Sequence, residues 1–407
     1  VKIAHLADLH ITEGPRLDDQ RDVLARIIDD ARRLGPPDLW IIAGDLTGRA
    51  VPHRPSPAER AVIEPALVRM AEIAPVVVVA GNHDHTMALL RLADLGGIFP
   101  IQVFTIAAAV TVSTPAGPVE IYALPYPTKR WLLAGQDAPR GVAETREAVS
   151  AALAALLRAW AGRVAEIRAE HPTRQQIGVG HFNVAGSRTA GGEILAAHEI
   201  ELSRTELEAL DVDYGALGHI HLNQRFGNWY YPGSPWRLDF GEIEPLKQWH
   251  MVEINGYTEV LGHDTHCRAF VTFTYRWAAD DDDSEPRWTA RPTPGQLAEV
   301  PGAEVRLRVT MPETWAASVP LADEVERIEA AGAHRIIIER IVEPVLRVRA
   351  PSVASAATIP EKIAEYWQIV ASPPNPTEQI AGFEALETLD LYTDGEIHER
   401  RGTGEAI

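Results

Sequence analysis

An α/β fold organised around a largely parallel sheet is what this sequence predicts, and three observations carry it. Short, almost wholly apolar runs such as LWIIA and VVVV recur in the first half of the chain. Stretches with apolar residues at helical spacing lie between them, and the runs leave through small residues into polar ones. Buried strands alternating with amphipathic helices are the pattern of β-α-β units.

Each element follows in order. Lys2–Asp8 (KIAHLAD) reads as the first strand. From Asp18 to Leu34, apolar Val23, Leu24, Ile27, Ile28, Ala31 and Leu34 recur at helical spacing. Asp38–Asp45 is a second apolar run, ending in Gly-Asp. A second helical pattern covers about 57–73, with Pro65 starting or kinking it. The valines from Val76 form a third strand. Beyond Gly97 the chain becomes strand-rich, with VEIYALPYP the clearest case, and a long helix is predicted over Val142–Glu170. Gln176–Phe182 is a strand ending near His181, and Ser203 stands three residues before Glu206, as in a helix capping box. DYGALGHIH is a further strand, ending at His219 and His221, and strands in RFGNWYYPGS and QWHMVEI complete this part.

Near Cys267 the texture changes. FVTFTYRW, the acidic loop ADDDDSEPRW, VRLRVTM and RIIIERI surround a helix at about 321–331, which predicts a smaller second α/β domain. The expected division is 1–266, 267–350 and a C-terminal segment 351–407 with a helical, acidic end.

Composition excludes several classes. A hydrophobic fraction of 46% with 23% charged residues is that of a globular chain. No apolar run approaches the ~20 residues of a bilayer span, and VKIAHLADLH has no signal-peptide pattern. A single cysteine, Cys267, rules out an internal disulfide framework and fits a reducing cytoplasm. The net charge of −19 counts against a stand-alone nucleic-acid binder, because phosphate neutralisation supplies most of such affinity. It leaves room for a local basic groove or a DNA-holding partner.

Five strand exits repeat one theme. They carry Asp8-x-His10, Gly44-Asp45, Gly81-Asn82-His83-Asp84, Gly180-His181 and Gly218-His219-Ile220-His221. Asp8, Asp45 and Asn82 are spaced 37 residues apart, about one strand-helix unit each time. In an open parallel sheet, residues just past the strands converge on one rim, where ligands bind. Each fragment alone is better read as a turn or a hydrogen-bonded surface residue. All five in order, each at a strand exit, favour a metal site over that bland reading. Imidazole, carboxylate and amide oxygen without thiol suit divalent manganese, iron or zinc. The ligands are too many for one tetrahedral ion and enough for two, held about 3.5–4 Å apart as in two-metal hydrolases. Asp45, the lone carboxylate of the middle strand, is the natural bridge.

These motifs resemble those of the calcineurin-like metallophosphoesterase superfamily: D-x-H, GD, GNH[DE], a lone H and GHxH. Within it, GHIH followed by YYPGSPWRLDFGE (Tyr230–Glu242) looks like the SbcD branch, the nuclease subunits of double-strand-break repair complexes. The resemblance implies a sandwich of two mixed β-sheets flanked by helices, a capping domain that helps bind DNA, and a C-terminal helical tail. It implies one metal at Asp8, His10, Asp45 and His221, and a second at Asp45, Asn82, His181 and His219, most often manganese. His83 would face the scissile phosphate as a general acid or transition-state stabiliser, with Asp84 fixing the other nitrogen of its ring. A DNA exonuclease or endonuclease follows, working as a homodimer with an SbcC-like, SMC-type ATPase and no membrane, the tail being an ATPase-docking element. The chain departs from the branch at Thr47-Gly48, where an aromatic and then Asp or His is usual, and at Ile11-Thr12 in place of Leu-Gly. His53 lies near the first departure, and exonuclease and endonuclease action both stand as readings.

Other features have bland readings beside functional ones. Asp280–Glu285 reads as a solvated loop. Lys129, Arg130, Arg188, Arg225 and Arg237 are phosphate contacts or ordinary surface charge. Trp229, Tyr230 and Tyr231 are core residues before they are base-stacking ones, and Cys267 is a boundary residue. Ile380, Phe383, Leu386 and Leu389 have helical spacing, for docking on an ATPase or on the protein's own core. Two rival functions remain: a phosphodiesterase or phosphatase for a small molecule such as a cyclic nucleotide, and a catalytically dead scaffold. The first needs no domain at 267–350, and the second should have lost ligands that are all present here.

Overall fold

The alternation of strand and helix appears as β1 (Lys2–Leu6), α1 (Leu17–Leu34), β2 (Leu39–Ala43), α2 (Pro57–Ala71), β3 (Val76–Val79), α3 (Thr86–Leu90) and β4 (Ile101–Phe104). This computed structural model describes residues 1–48, 52–128, 132, 142–189, 200–279, 285–344 and 359–369. Helix α2 begins at a complete capping box, Ser56 with Glu59, and has Pro57 in its first turn. Pro65 therefore does not start the helix; it lies inside it.

The chain continues as β5 (Ala108–Thr114), β6 (Gly117–Leu124), α4 (Val142–Glu170), β7 (Gln176–His181), a short β8 (Asn183–Val184) and β9 (Glu201–Leu202), and α5 (Arg204–Glu208). Ser203 and Glu206 form the expected capping box on α5. Next come β10 (Tyr214–Gly218), β11 (Gln224–Phe226), β12 (Trp229–Tyr231), β13 (Gln248–Ile254) and β14 (Thr258–Asp264). The last elements are β15 (Phe270–Ala278), β16 (Arg287–Ala290), β17 (Glu304–Pro312), α6 (Leu321–Ala330), β18 (Arg335–Glu343) and α7 (Ile359–Ile369).

Two six-stranded mixed sheets result, in the orders β14-β13-β1-β2-β3-β4 and β11-β12-β10-β7-β6-β5. Strands β1 to β4 pair in parallel, and β13 closes on β1 antiparallel. In the second sheet β6, β7, β10 and β12 are parallel neighbours. The period-two geometry of a strand sorts the continuous apolar runs onto two faces. Leu39, Ile41, Ala43, Val77 and Val79 meet Ile121, Ala123, Ile177, Val179 and Ala216 in a shared core between the sheets. Trp40, Ile42, Val76 and Val78 face the other way, onto Leu24, Ile27, Ile28, Leu67 and Met70 of α1 and α2. The second sheet is covered by Leu153, Leu157, Trp160 and Val164 of α4. This is the sandwich flanked by helices that the resemblance implied.

One expectation needs correcting. Ala148–Glu170 within α4 is long and apolar enough, by length and composition, to cross a membrane. The stretch escapes a search for unbroken runs because Arg158 and Arg163 interrupt it. Its large apolar side chains lie against the second sheet.

Strands β15 to β18 form a four-stranded sheet in the order β16-β15-β17-β18. By internal contacts the chain divides into two compact units. One comprises Val1–Tyr275, Ala290–Val309 and Pro320–Glu339, and holds both six-stranded sheets. The other comprises Arg276–Thr289, Thr310–Val319 and Arg340–Ile407. Within it Arg276 donates to both carboxylate oxygens of Glu343, at 3.0 and 2.9 Å, and Trp277 meets Trp288 edge to face. Lys129, Arg130, Asp280–Ser284, Ile380, Phe383, Leu386 and Leu389 lie outside the described residues.

Candidate metal centre

The strand exits owe their geometry to unusual backbone. Among the described residues six non-glycine residues have φ above zero, and four of them are Asp8 (54°), His10 (44°), Asp45 (51°) and His219 (97°). Such conformations cost of order 1–3 kcal/mol each and persist only where surroundings impose them. Here the parallel ladder continues past the strand ends: Asp8 N donates to Gly44 O (3.1 Å), His10 N to Asp45 O (2.9 Å) and Ile11 N to Leu46 O (3.1 Å). Close approach requires glycine at these exits, as Gly44 and Gly81 illustrate. A Cβ on Gly44, whose φ is +87°, would sit 2.1 Å from His181 Nδ1, and one on Gly81 would sit 2.0 Å from Asp45 Oδ1.

All seven residues expected to bind metal converge. Asp8, His10 and His221 form one cluster, and Asp45, His181 and His219 another, the donor atoms of each lying within 4.8 Å of one another. Asp45 stands between them, its Oδ2 being 3.6 Å from His10 Nε2 and 3.2 Å from His181 Nε2. Asn82 Oδ1 lies 3.0 Å from both His181 Nε2 and His219 Nδ1. His83 is at the mouth, its side chain 27% exposed and its Nε2 3.9 Å from Asp45 Oδ2. Its backbone N–H donates to Asp45 Oδ1 at 2.9 Å.

These residues can hold metal ions, and three observations of the donor set argue that they fit them. Asp8 Oδ1 accepts from His219 N at 2.8 Å, but its buried Oδ2 has no hydrogen-bond partner among the described residues. His181 donates Nδ1–H to Ala43 O (2.8 Å), which leaves Nε2 aimed at two oxygens. The Nε2 atoms of His10 and His221 face each other at 3.0 Å. Buried lone pairs so crowded call for a shared cation.

The crowding displaces the titration of these groups in both directions. Burial first, then the neighbouring imidazoles, outweighs the pull of Asp45 and holds His10 down at about 3. Burial alone would raise Asp45, but His181 and the other histidines carry its carboxyl well below the usual range. Burial likewise opposes protonation of His181, and Asp45 reverses this, lifting it to about 9. For His221 burial is outweighed by Glu242 and Asp8, and the net direction is upward.

Asp84 is buried, and its oxygens accept from Gly81 N (2.9 Å), Thr47 N (3.1 Å) and Thr47 Oγ1 (3.3 Å). What these bonds hold is the loop that carries Asn82 and His83. Burial, reinforced by Asp45, pushes the Asp84 carboxyl up to about 6. His85 accepts from Ala88 N and caps α3. His53 lies by the same loop, with Nε2 3.1 Å from Glu59 Oε2.

Arg237 is committed to Ile243 O, Arg268 O and Cys267 Sγ, which leaves it little for an external phosphate. Arg225 lies over the Tyr230 ring, and Arg188 is exposed. Trp229 and Tyr231 are core residues. Sequence reasoning missed the partners of His221: Glu242 Oε1 accepts from its Nδ1 at 2.8 Å, and Lys247 Nζ donates to Glu242 Oε2 at 2.7 Å. Tyr126, whose ring lies 5.6 Å from that of His219, was also missed. The segment ending in Glu242 stands out in the sequence, but nothing local pairs it with a histidine 21 residues earlier.

Residues 1–223, more than half of the chain, match the family model described as calcineurin-like phosphoesterase. The D subunit of the nuclease SbcCD from Staphylococcus saprophyticus is 26% identical over 270 residues, which cover 62% of this chain and 66% of that protein. The chain thus spans just under two thirds of that relative's length. Among solved structures, GAP50, the anchor in the inner membrane complex of Plasmodium, is 13% identical with a TM-score of 0.40, over 75% of this chain and 96% of that one.

Proposed function

Since the chain belongs to the calcineurin-like phosphoesterase family, metal-dependent hydrolases with a dinuclear centre, we propose that it is a manganese-dependent DNA nuclease acting in end processing with an SbcC-like ATPase. One observation carries the chemistry: seven candidate ligands from five strand exits converge around Asp45 and leave Asp8 Oδ2 buried with no hydrogen-bond partner among the described residues. The choice of DNA is supported by the similarity to the SbcCD nuclease and by the GSP–DFGE segment. Asp8, His10, Asp45 and His221 would hold one ion, and Asp45, Asn82, His181 and His219 the other. Bound ions supply Lewis acidity toward the phosphate and a water nucleophile at neutral pH.

The chain's own residues do the rest. In this reading His83 gives a proton to the leaving oxygen, supported by its position at the open mouth, 3.9 Å from Asp45 Oδ2. Asp84 holds the loop that carries it. Residues 267–350 serve as the DNA-positioning domain, and 351–407 dock the ATPase. Working in the cytoplasm as a homodimer with a partner that holds DNA would reconcile the net charge of −19 with a DNA substrate.

The test is direct. With Mn²⁺, alone and with the ATPase, the protein should degrade linear or hairpin DNA. His83→Ala should abolish cleavage while Mn²⁺ binding survives. Cleavage of cyclic nucleotides or bis-p-nitrophenyl phosphate, and never of DNA, would replace this reading with a small-molecule phosphodiesterase.

A further inference from the structure

We propose that Glu242, anchored by Lys247, is the positioning residue that fixes His221 as a metal ligand and so tunes one of the two metal positions separately from the other. The proposal rests on the reading of the site as a dinuclear metal centre.

The geometry is closed on itself. A carboxylate paired with an ammonium only accepts, so the 2.8 Å contact with Glu242 Oε1 places the proton of His221 on Nδ1. Nε2 is then bare, and it is the nitrogen that clusters with Asp8 and His10. Glu242 cannot drift, because its other oxygen accepts from Lys247 Nζ (2.7 Å), Leu238 N (3.1 Å) and Ser234 Oγ (3.4 Å). Lys247 cannot drift either: Nζ also donates to Ser234 Oγ (2.7 Å) and to the backbone oxygen of His221 itself (3.3 Å). Both charged side chains are almost fully enclosed, Glu242 at 6% and Lys247 at 1% exposure.

A lone buried lysine or glutamate is strongly unfavourable, and even a buried pair gives no reliable gain over apolar residues. Stability alone therefore gives no reason for this pair. A function at the ring it touches does. Carboxylates behind metal-bound histidines set ring tautomer and orientation and raise ligand basicity. The Nδ1 of the counterpart ligand His181 donates to a neutral backbone carbonyl, Ala43 O, at 2.8 Å, with Asp8 Oδ1 farther off at 4.0 Å. His221 thus has a carboxylate in direct hydrogen bond behind its ring where His181 has a carbonyl, and losing Glu242 should be felt first at the position His221 serves.

Glu242→Gln tests this with little change in shape. A glutamine offers one oxygen to two donors, the Nδ1–H of His221 and the Nζ of Lys247. Either the ammonium loses its partner or the ring is pressed toward the wrong tautomer. Mn²⁺ titration calorimetry on the metal-stripped full chain should show two binding events in the wild type. In Glu242→Gln one event should weaken about 10–100-fold, the usual cost of losing such a partner, while the other stays put, and the urea midpoint of the metal-free protein falls because Lys247 is left without its carboxylate. If the single variant misfolds around an unpaired lysine, Glu242→Gln/Lys247→Met removes both charges and should show the same one-sided loss.

Two unchanged binding events in a folded variant overturn the proposal and leave the metal-centre reading intact. Equal weakening of both overturns it too, since Glu242 then supports the fold alone. A wild type that binds no Mn²⁺ removes the premise and the proposal together. A wild type that binds two ions but never cuts DNA defeats only the nuclease reading.

Discussion

Replacing Asp84 with alanine separates two roles that the GNHD motif leaves entangled: building the loop and tuning His83. The carboxylate accepts from Gly81 N, Thr47 N and Thr47 Oγ1 and is 5% exposed. Gly81 belongs to the exit of β3 and Thr47 to the exit of β2, so one side chain ties together the loops that carry Asn82 and Asp45. Asp84→Ala leaves two buried backbone N–H groups without acceptors, each costing about 1–3 kcal/mol. A loss of about 2–6 kcal/mol is expected, with Asp84→Asn, which keeps one acceptor oxygen, falling between. The assay is urea unfolding of chelator-treated protein, so that lost metal binding adds nothing to the difference. Mn²⁺ titration of the folded variants should also show weaker binding, because Asn82 moves with the loop. If Asp84→Ala unfolds at the wild-type midpoint and binds Mn²⁺ normally, yet loses hydrolysis, the loop argument is wrong. Asp84 then acts on the chemistry of His83 itself.

Two further outcomes follow from the structure. His250 is buried, and its Nε2 faces the amide nitrogens of Asn223 and Gln248; burial, aided by His263, holds it down at about 4. The unfolded chain, near 6.5, then binds more protons between those values, so stability is full above about pH 6.5 and falls toward pH 4, by up to about 3 kcal/mol. His250→Asn should flatten that part of the urea-midpoint profile, and parallel profiles would refute the assignment. Gly44→Ala adds a methyl group 2.1 Å from His181 Nδ1 at a left-handed φ. Mn²⁺ affinity should drop by tenfold or more, as titration would show; an unchanged affinity would mean that His181 can shift without cost to the site.

Much of this site was legible because its signals are local. A run enclosed on both faces must be apolar throughout, as Leu39–Ala43 and Val76–Val79 are, and its exit must tolerate left-handed backbone and close approach. Gly44 and Gly81 mark those exits in the sequence itself. Ser203 with Glu206 announces a helix start within four residues. The choice of Asp, Asn and His without thiol states the ligand chemistry before any fold is known.

Tertiary structure decided what depends on partners far along the chain. That β12 joins β10 in parallel, that Asp84 reaches back 37 residues to Thr47, and that Arg237 closes on Cys267 and Arg268 are register and packing outcomes. The pairing of His221 with Glu242 and Lys247 is of the same kind. Periodicity reports which face of an element is buried, because that follows from 3.6- and 2-residue repeats. It carries no information about which buried polar group meets which. The sequence thus determined the strands, their exits and the ligand types, while only the folded chain decided which carboxylate stands behind which imidazole.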